Sequence, residues 1–115
     1  MFKKYIFIFL LLITASKALA QNDCVNAITV CGNSGFTGLT ASGIGIQELS
    51  NHITCGFGES NSIWLLLKIS TSGSLAFTLK PESASISEDF DFFLFGPNKT
   101  CNNLGISIRC STTNP

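Results

Sequence analysis

The chain predicts an all-β domain of the sandwich or barrel type, and three stretches carry that expectation. The first is Asp89-Phe90-Asp91-Phe92-Phe93-Leu94-Phe95-Gly96-Pro97, which packs four phenylalanines and a leucine into six positions before a Gly-Pro stop. Period two puts Phe90, Phe92 and Leu94 on one side and Asp91, Phe93 and Phe95 on the other. Neither side is polar, so a central strand covered on both faces is expected. The second is Ser62 to Thr71 (SIWLLLKIST), with Ile63, Leu65, Leu67 and Ile69 facing one way and Trp64, Leu66 and Lys68 the other. The third is the alternation of Leu75, Phe77 and Leu79 with Ala76, Thr78 and Lys80, the pattern of a half-buried strand. A strand buried on both faces needs a second layer, which excludes an open sheet.

Residues 1–20 stand apart from this pattern. Lys3 and Lys4 precede the apolar run Tyr5 to Ile13, and Ala18-Leu19-Ala20 offers a small-x-small cleavage site. These are the three parts of a secretory signal peptide, expected as a helix. An uncleaved anchor is the rival reading, but the run is shorter than the ~20 apolar residues that span a bilayer. No cysteine directly follows Ala20, which argues against a lipid anchor. The expected division is a signal peptide at 1–20 and one β domain at 21–115, with no stable membrane insertion after cleavage. Lys3, Lys4 and Lys17 fall in the signal, so the remainder carries four basic against seven acidic groups, a net charge of −3. Such a chain lacks the basic footprint of a nucleic-acid binder.

Taken in order, Ala27-Ile28-Thr29-Val30 reads as a short edge strand between Cys24 and Cys31. Residues 32–60 are rich in Gly, Ser, Thr and Asn, and read as loop with at most weak strands. For Ser62 to Thr71, helix competes because the run is long and leucine-rich. Flanking serines, β-branched residues and the following Thr71-Ser72-Gly73-Ser74 turn favour a strand. With Leu75 to Lys80 it is expected to form an antiparallel hairpin that Pro81 ends. Beyond the phenylalanine strand, Cys101 to Gly105 reads as loop and Ile106 to Ser111 as a last short strand. No helix is expected in 21–115.

All five cysteines (Cys24, Cys31, Cys55, Cys101 and Cys110) follow the signal, so disulfides are the leading reading and one thiol is left over. Zinc is the rival, but the spacings are too wide for knuckles and there is one histidine. Gly96-Pro97 and Gly105 bend the chain between two strands. Cys101 and Cys110 are therefore expected to pair, within the ~4.4–6.8 Å Cα separation that a disulfide requires. A second bridge is expected from Cys55 to Cys24 or Cys31.

The order of these pieces resembles a known family. Asn22-Asp23-Cys24-Val25-Asn26-Ala27-Ile28 comes first, then Cys55 ahead of Ser62-Ile63-Trp64-Leu65, then the Asp89–Pro97 strand, then Cys101, Leu104, Cys110 and Ser111. This is similar to the N-terminal domain of large secreted surface proteins of gliding Gram-negative bacteria. Those proteins are associated with gliding motility and carry a type IX secretion sorting domain far downstream. The Asp89–Pro97 strand also resembles that of pre-peptidase C-terminal domains. The resemblance implies a jelly-roll-like antiparallel β-sandwich. Family members run on past the position of Pro115, so the domain is expected to be incomplete. The odd cysteine count and the two-faced apolar strand agree with that expectation.

Catalytic acyl transfer needs a nucleophile, a base and an orienting group, whereas His52 is the sole histidine and sits in a polar loop. Gly32-Asn33-Ser34-Gly35 falls short of a nucleophile elbow. Asp89 and Asp91 lie at i and i+2 and would point the same way from a strand, which makes them candidates for calcium. Against this, carboxylates there keep an apolar strand soluble at its exposed end. The same pair could serve a glycosidase, but one loop rarely supplies both groups. Trp64 reads as packing before it reads as a sugar platform. Asn98-Lys99-Thr100 matches a glycosylation sequon, incidental if the source is bacterial. The expected role is therefore a non-catalytic, extracellular adhesion or scaffolding module without a cofactor. Its expected partner is a surface protein or polysaccharide. A carbohydrate-binding module and an accessory domain of a secreted hydrolase are the alternatives.

Overall fold

The computed structural model describes residues 21–33, 35, 37–49, 55, 56, 58–84 and 88–113. The expected signal helix at 1–20 and the loop position of His52 lie outside them. The described residues are strand-rich, with two small sheets and a single 3-10 turn, Cys24–Asn26. That turn is closed by Asn26 N–H donating to the Asp23 carbonyl and Ala27 N–H to the Cys24 carbonyl. The fold is all-β in class.

Strand β1 (Ile28–Cys31) pairs in parallel with β2 (Leu65–Lys68), with Ile28 opposite Leu65 and Val30 opposite Leu67. The ladder is extended at its start by Ile28 N–H donating to the Trp64 carbonyl and Trp64 N–H to the Gln21 carbonyl. Strand β3 (Phe92–Leu94) pairs antiparallel with β4 (Arg109–Ser111), with Phe93 opposite Cys110.

The structure corrects three expectations about pairing. Ser62–Thr71 does not form a hairpin with Leu75–Lys80; its ladder partner is β1. Parallel pairing needs a long crossover, which residues 32–64 supply. Alternation says which side chains share a face but leaves the partner open, and Ile28 and Val30 offer β2 an apolar neighbour. Leu75–Lys80 joins neither sheet and is exposed throughout. One of the two sheets is thus parallel rather than antiparallel. Finally, β3 has one neighbour among the described residues, so it is an edge rather than a centre. Its residues Phe92, Phe93 and Leu94 are all half-buried, so both its faces are partly covered.

The disulfides differ from the expected ones as well. Cys24 pairs with Cys101 and Cys55 with Cys110, at Cα separations of 5.6 and 6.2 Å. Cys31 is the free thiol and is exposed. The expected Cys101–Cys110 bridge fails because the two residues are directed to different neighbours. Cys110 is held in the β4 ladder, whereas Cys101 opens the turn pinned by the Thr100–Asn103 bridge and lies against the Cys24 turn. Each bond crosses between the sheets. One runs from the turn before β1 to the loop after β3, the other from the loop before β2 to β4. Closing loops of 77 and 55 residues contributes about 4 kcal/mol each, taken singly, on the chain-entropy estimate. Such bonds weigh heavily here, because the buried apolar residues among those described are Leu49 and Leu104, each 5% exposed. Two disulfides also place the chain in an oxidising environment. Among the described residues, no helix is long and apolar enough to cross a membrane.

Candidate functional site

Two neighbourhoods concentrate unusual side chains. The first is an exposed aromatic face beside β3. Phe77 meets Phe92 edge-to-face, with ring centroids 5.1 Å apart and planes at 84°. With Thr78, Leu79, Phe90 and Ser111 they line an open concavity of about 330 Å³. Strand β3 brings Phe92, and the unpaired segment 75–80 lies across it. Phe77 and Leu79 thus meet Phe90 and Phe92 at the surface rather than in a core. Phe77 and Phe90 are 49% and 50% exposed.

Asp89 and Asp91 flank Phe90 and are exposed. Desolvation holds the Asp91 carboxyl above the usual aspartate range, and the Asp89 charge adds to it. Asp91 thus feels the Asp89 charge. Among the described residues, no three Asp, Glu, His or Cys groups converge to hold a metal ion.

The second neighbourhood surrounds Trp64, just ahead of β2. Its indole N–H donates to Glu59 Oε1 at 2.8 Å, and its ring stacks on Phe95. Both its polar handle and its face are engaged, so Trp64 packs and is not a free sugar platform. Glu59 is 6% exposed and is held from several sides. Its Oε2 accepts from Glu48 N–H at 2.6 Å, its own N–H donates to Gln47 Oε1, and Gln47 Nε2 donates to its carbonyl. Glu48 Oε1 accepts from Cys24 N–H at 2.8 Å, while Glu48 Oε2 is buried without a donor. Asp23 Oδ1 accepts from Ile46 N–H at 2.7 Å. Burial pushes the Glu48 carboxyl above the usual range. The Cys24 N–H opposes that shift, while Glu59 and Asp23 reinforce it.

This acidic junction is not legible in the sequence. Asp23, Glu48 and Glu59 are spread over two polar loops with no periodic pattern. The one available signal was the absence of lysine and arginine between Gln21 and Leu67. No family model, curated protein or solved structure matches the chain.

Proposed function

We propose that the chain is a non-catalytic extracellular interaction module of jelly-roll-like β-sandwich type, serving adhesion or surface scaffolding linked to gliding motility. The observation that carries the reading is the exposed face of Phe77, Leu79 and Phe90 around the half-buried Phe92. Apolar groups that stay in contact with water cost free energy unless something covers them, and patches of this kind mark interaction surfaces. Among the described residues β3 is paired by β4 alone, and its other edge could receive an incoming strand. Support for an extracellular setting comes from the two disulfides, and for the gliding link from the Asn22–Ile28 and Asp89–Pro97 motifs. The second layer of the sandwich would be supplied by further strands or by the partner.

The carbohydrate-binding alternative asks for exposed coplanar aromatics. Phe77 and Phe92 cross edge-to-face instead, and the indole of Trp64 is occupied.

The test is binding of the labelled protein to intact bacterial cells and to immobilised polysaccharide. A Phe77→Ser, Phe90→Ser variant serves as comparison, with its fold checked by Trp64 fluorescence. Binding that drops at least tenfold in the folded variant supports the proposal. Equal binding by the variant, or none by the parent, overturns it. Binding confined to soluble sugars would transfer the face to the carbohydrate-binding reading.

A further inference from the structure

We propose that Glu48 and Glu59 share a single proton and act as an acid-set latch, closing the 46–49 loop onto the Cys24 turn and onto Trp64 and releasing it when the proton leaves. Glu59 has both oxygens engaged as acceptors, Oε2 from Glu48 N–H and Oε1 from the Trp64 indole. That pattern suits an ionised carboxylate. Glu48 has Oε1 engaged with Cys24 N–H, while Oε2 is buried and receives no donor. A buried, unpaired carboxylate oxygen is expensive. Two ionised carboxylates have no hydrogen to share; one proton on Glu48 Oε2 turns that orphan into a donor toward Glu59.

The surroundings favour holding that proton. Glu59 Oε2 sits on the Glu48 main-chain N–H, and the charges Glu48 feels among the described residues are those of Glu59 and Asp23. Both are negative. Cys24 is tied in a disulfide and does not titrate. Desolvation and like charge both disfavour a second anion, as in other carboxyl pairs that hold one proton between them. The fold thus binds a proton that the unfolded chain releases near pH 4.5. Its stabilising contribution is complete below that value and fades as pH rises through the raised value of Glu48.

The consequence is structural. The latch joins the Cys24 turn, the 46–49 loop and Trp64, the residue that stacks on Phe95. Opening it loosens the junction between the two sheets, so the protein is tighter in acid than in alkali. This inference does not depend on what the aromatic face binds.

The chain contains one tryptophan, and its indole touches the latch, so fluorescence reads the site directly. The experiment follows Trp64 emission and melting temperature from pH 4 to 9 in the parent, in Glu48→Gln and in Glu59→Gln, with EDTA present. In Glu48→Gln the amide supplies a permanent donor to Glu59 and Oε1 can still accept from Cys24. The parent should show a one-proton transition above the ordinary glutamate range. Glu48→Gln should abolish it and keep the acid-form emission at every pH. Glu59→Gln sets an amide against two N–H donors and should lose the acid-form emission throughout. A Glu48→Gln variant that titrates like the parent overturns the latch, as does a transition that appears only when calcium replaces EDTA. Should Glu59→Gln fail to fold, Glu48→Gln decides alone.

Discussion

The indole of Trp64 stacks on the ring of Phe95 with centroids 5.9 Å apart and planes inclined by 16°. Trp64 immediately precedes β2 and Phe95 immediately follows β3, so the stack ties one sheet to the other. The disulfides Cys24–Cys101 and Cys55–Cys110 make the same connection. Among the described residues the buried apolar side chains are Leu49 and Leu104, so this seam carries much of the cohesion between the sheets.

Trp64→Phe keeps a ring over Phe95 but removes the donor to Glu59. A hydrogen bond to a charged group contributes about 1.5–3 kcal/mol, and a loss of that order is expected in urea unfolding. Phe95→Ala removes the stack; Phe95 is half-buried, so the cost should fall below the ~3–5 kcal/mol of a fully buried phenylalanine. If Trp64→Phe unfolds at the parent midpoint, the Glu59 bond contributes nothing.

Peptide mapping under non-reducing conditions should recover Cys24 linked to Cys101 and Cys55 linked to Cys110, with Cys31 alkylated. Cys31→Ser should leave stability within about 0.5 kcal/mol, as an exposed substitution does. Cys24→Ser or Cys55→Ser should each cost about 2–5 kcal/mol. A peptide joining Cys101 to Cys110 would refute this connectivity.

Gly45 has φ of 63°, and a Cβ there would collide with the Asp23 carboxylate, which holds Ile46 N–H. Gly45→Ala should therefore cost at least the ~1–2 kcal/mol of the left-handed backbone. Adding Asp23→Ser relieves the clash, so the double variant should lose less than the sum of the two. Strict additivity in a double-mutant cycle would show that the two sites do not meet.

Asp91 is raised by desolvation and by Asp89. A raised carboxyl adds stability below its ordinary value and loses it as pH climbs through the raised one. Asp89→Asn should bring the Asp91 titration, followed by carbon NMR of the carboxyl, back toward the ordinary value. Because Asp91 is exposed, melting temperature should barely respond. An unmoved titration would mean that the two carboxylates point apart.

Several features of this protein were determined by local sequence alone. The all-β class was legible, as were strands near 28–31, 65–68, 92–94 and 109–111, because alternation, turn residues and proline act within a few positions. The leftover thiol followed from an odd cysteine count. Only the tertiary structure decided which strands pair. Apolar alternation in 62–71 fits a hairpin with 75–80 and a parallel ladder with β1 equally well, and long-range packing chose the second. It decided the disulfides in the same way: sequence spacing favoured the short Cys101–Cys110 loop, but the turn at Thr100–Asn103 aims Cys101 at Cys24. It also brought together Glu48, Glu59 and Trp64. Isolated polar residues in irregular loops carry no period from which their meeting could be read.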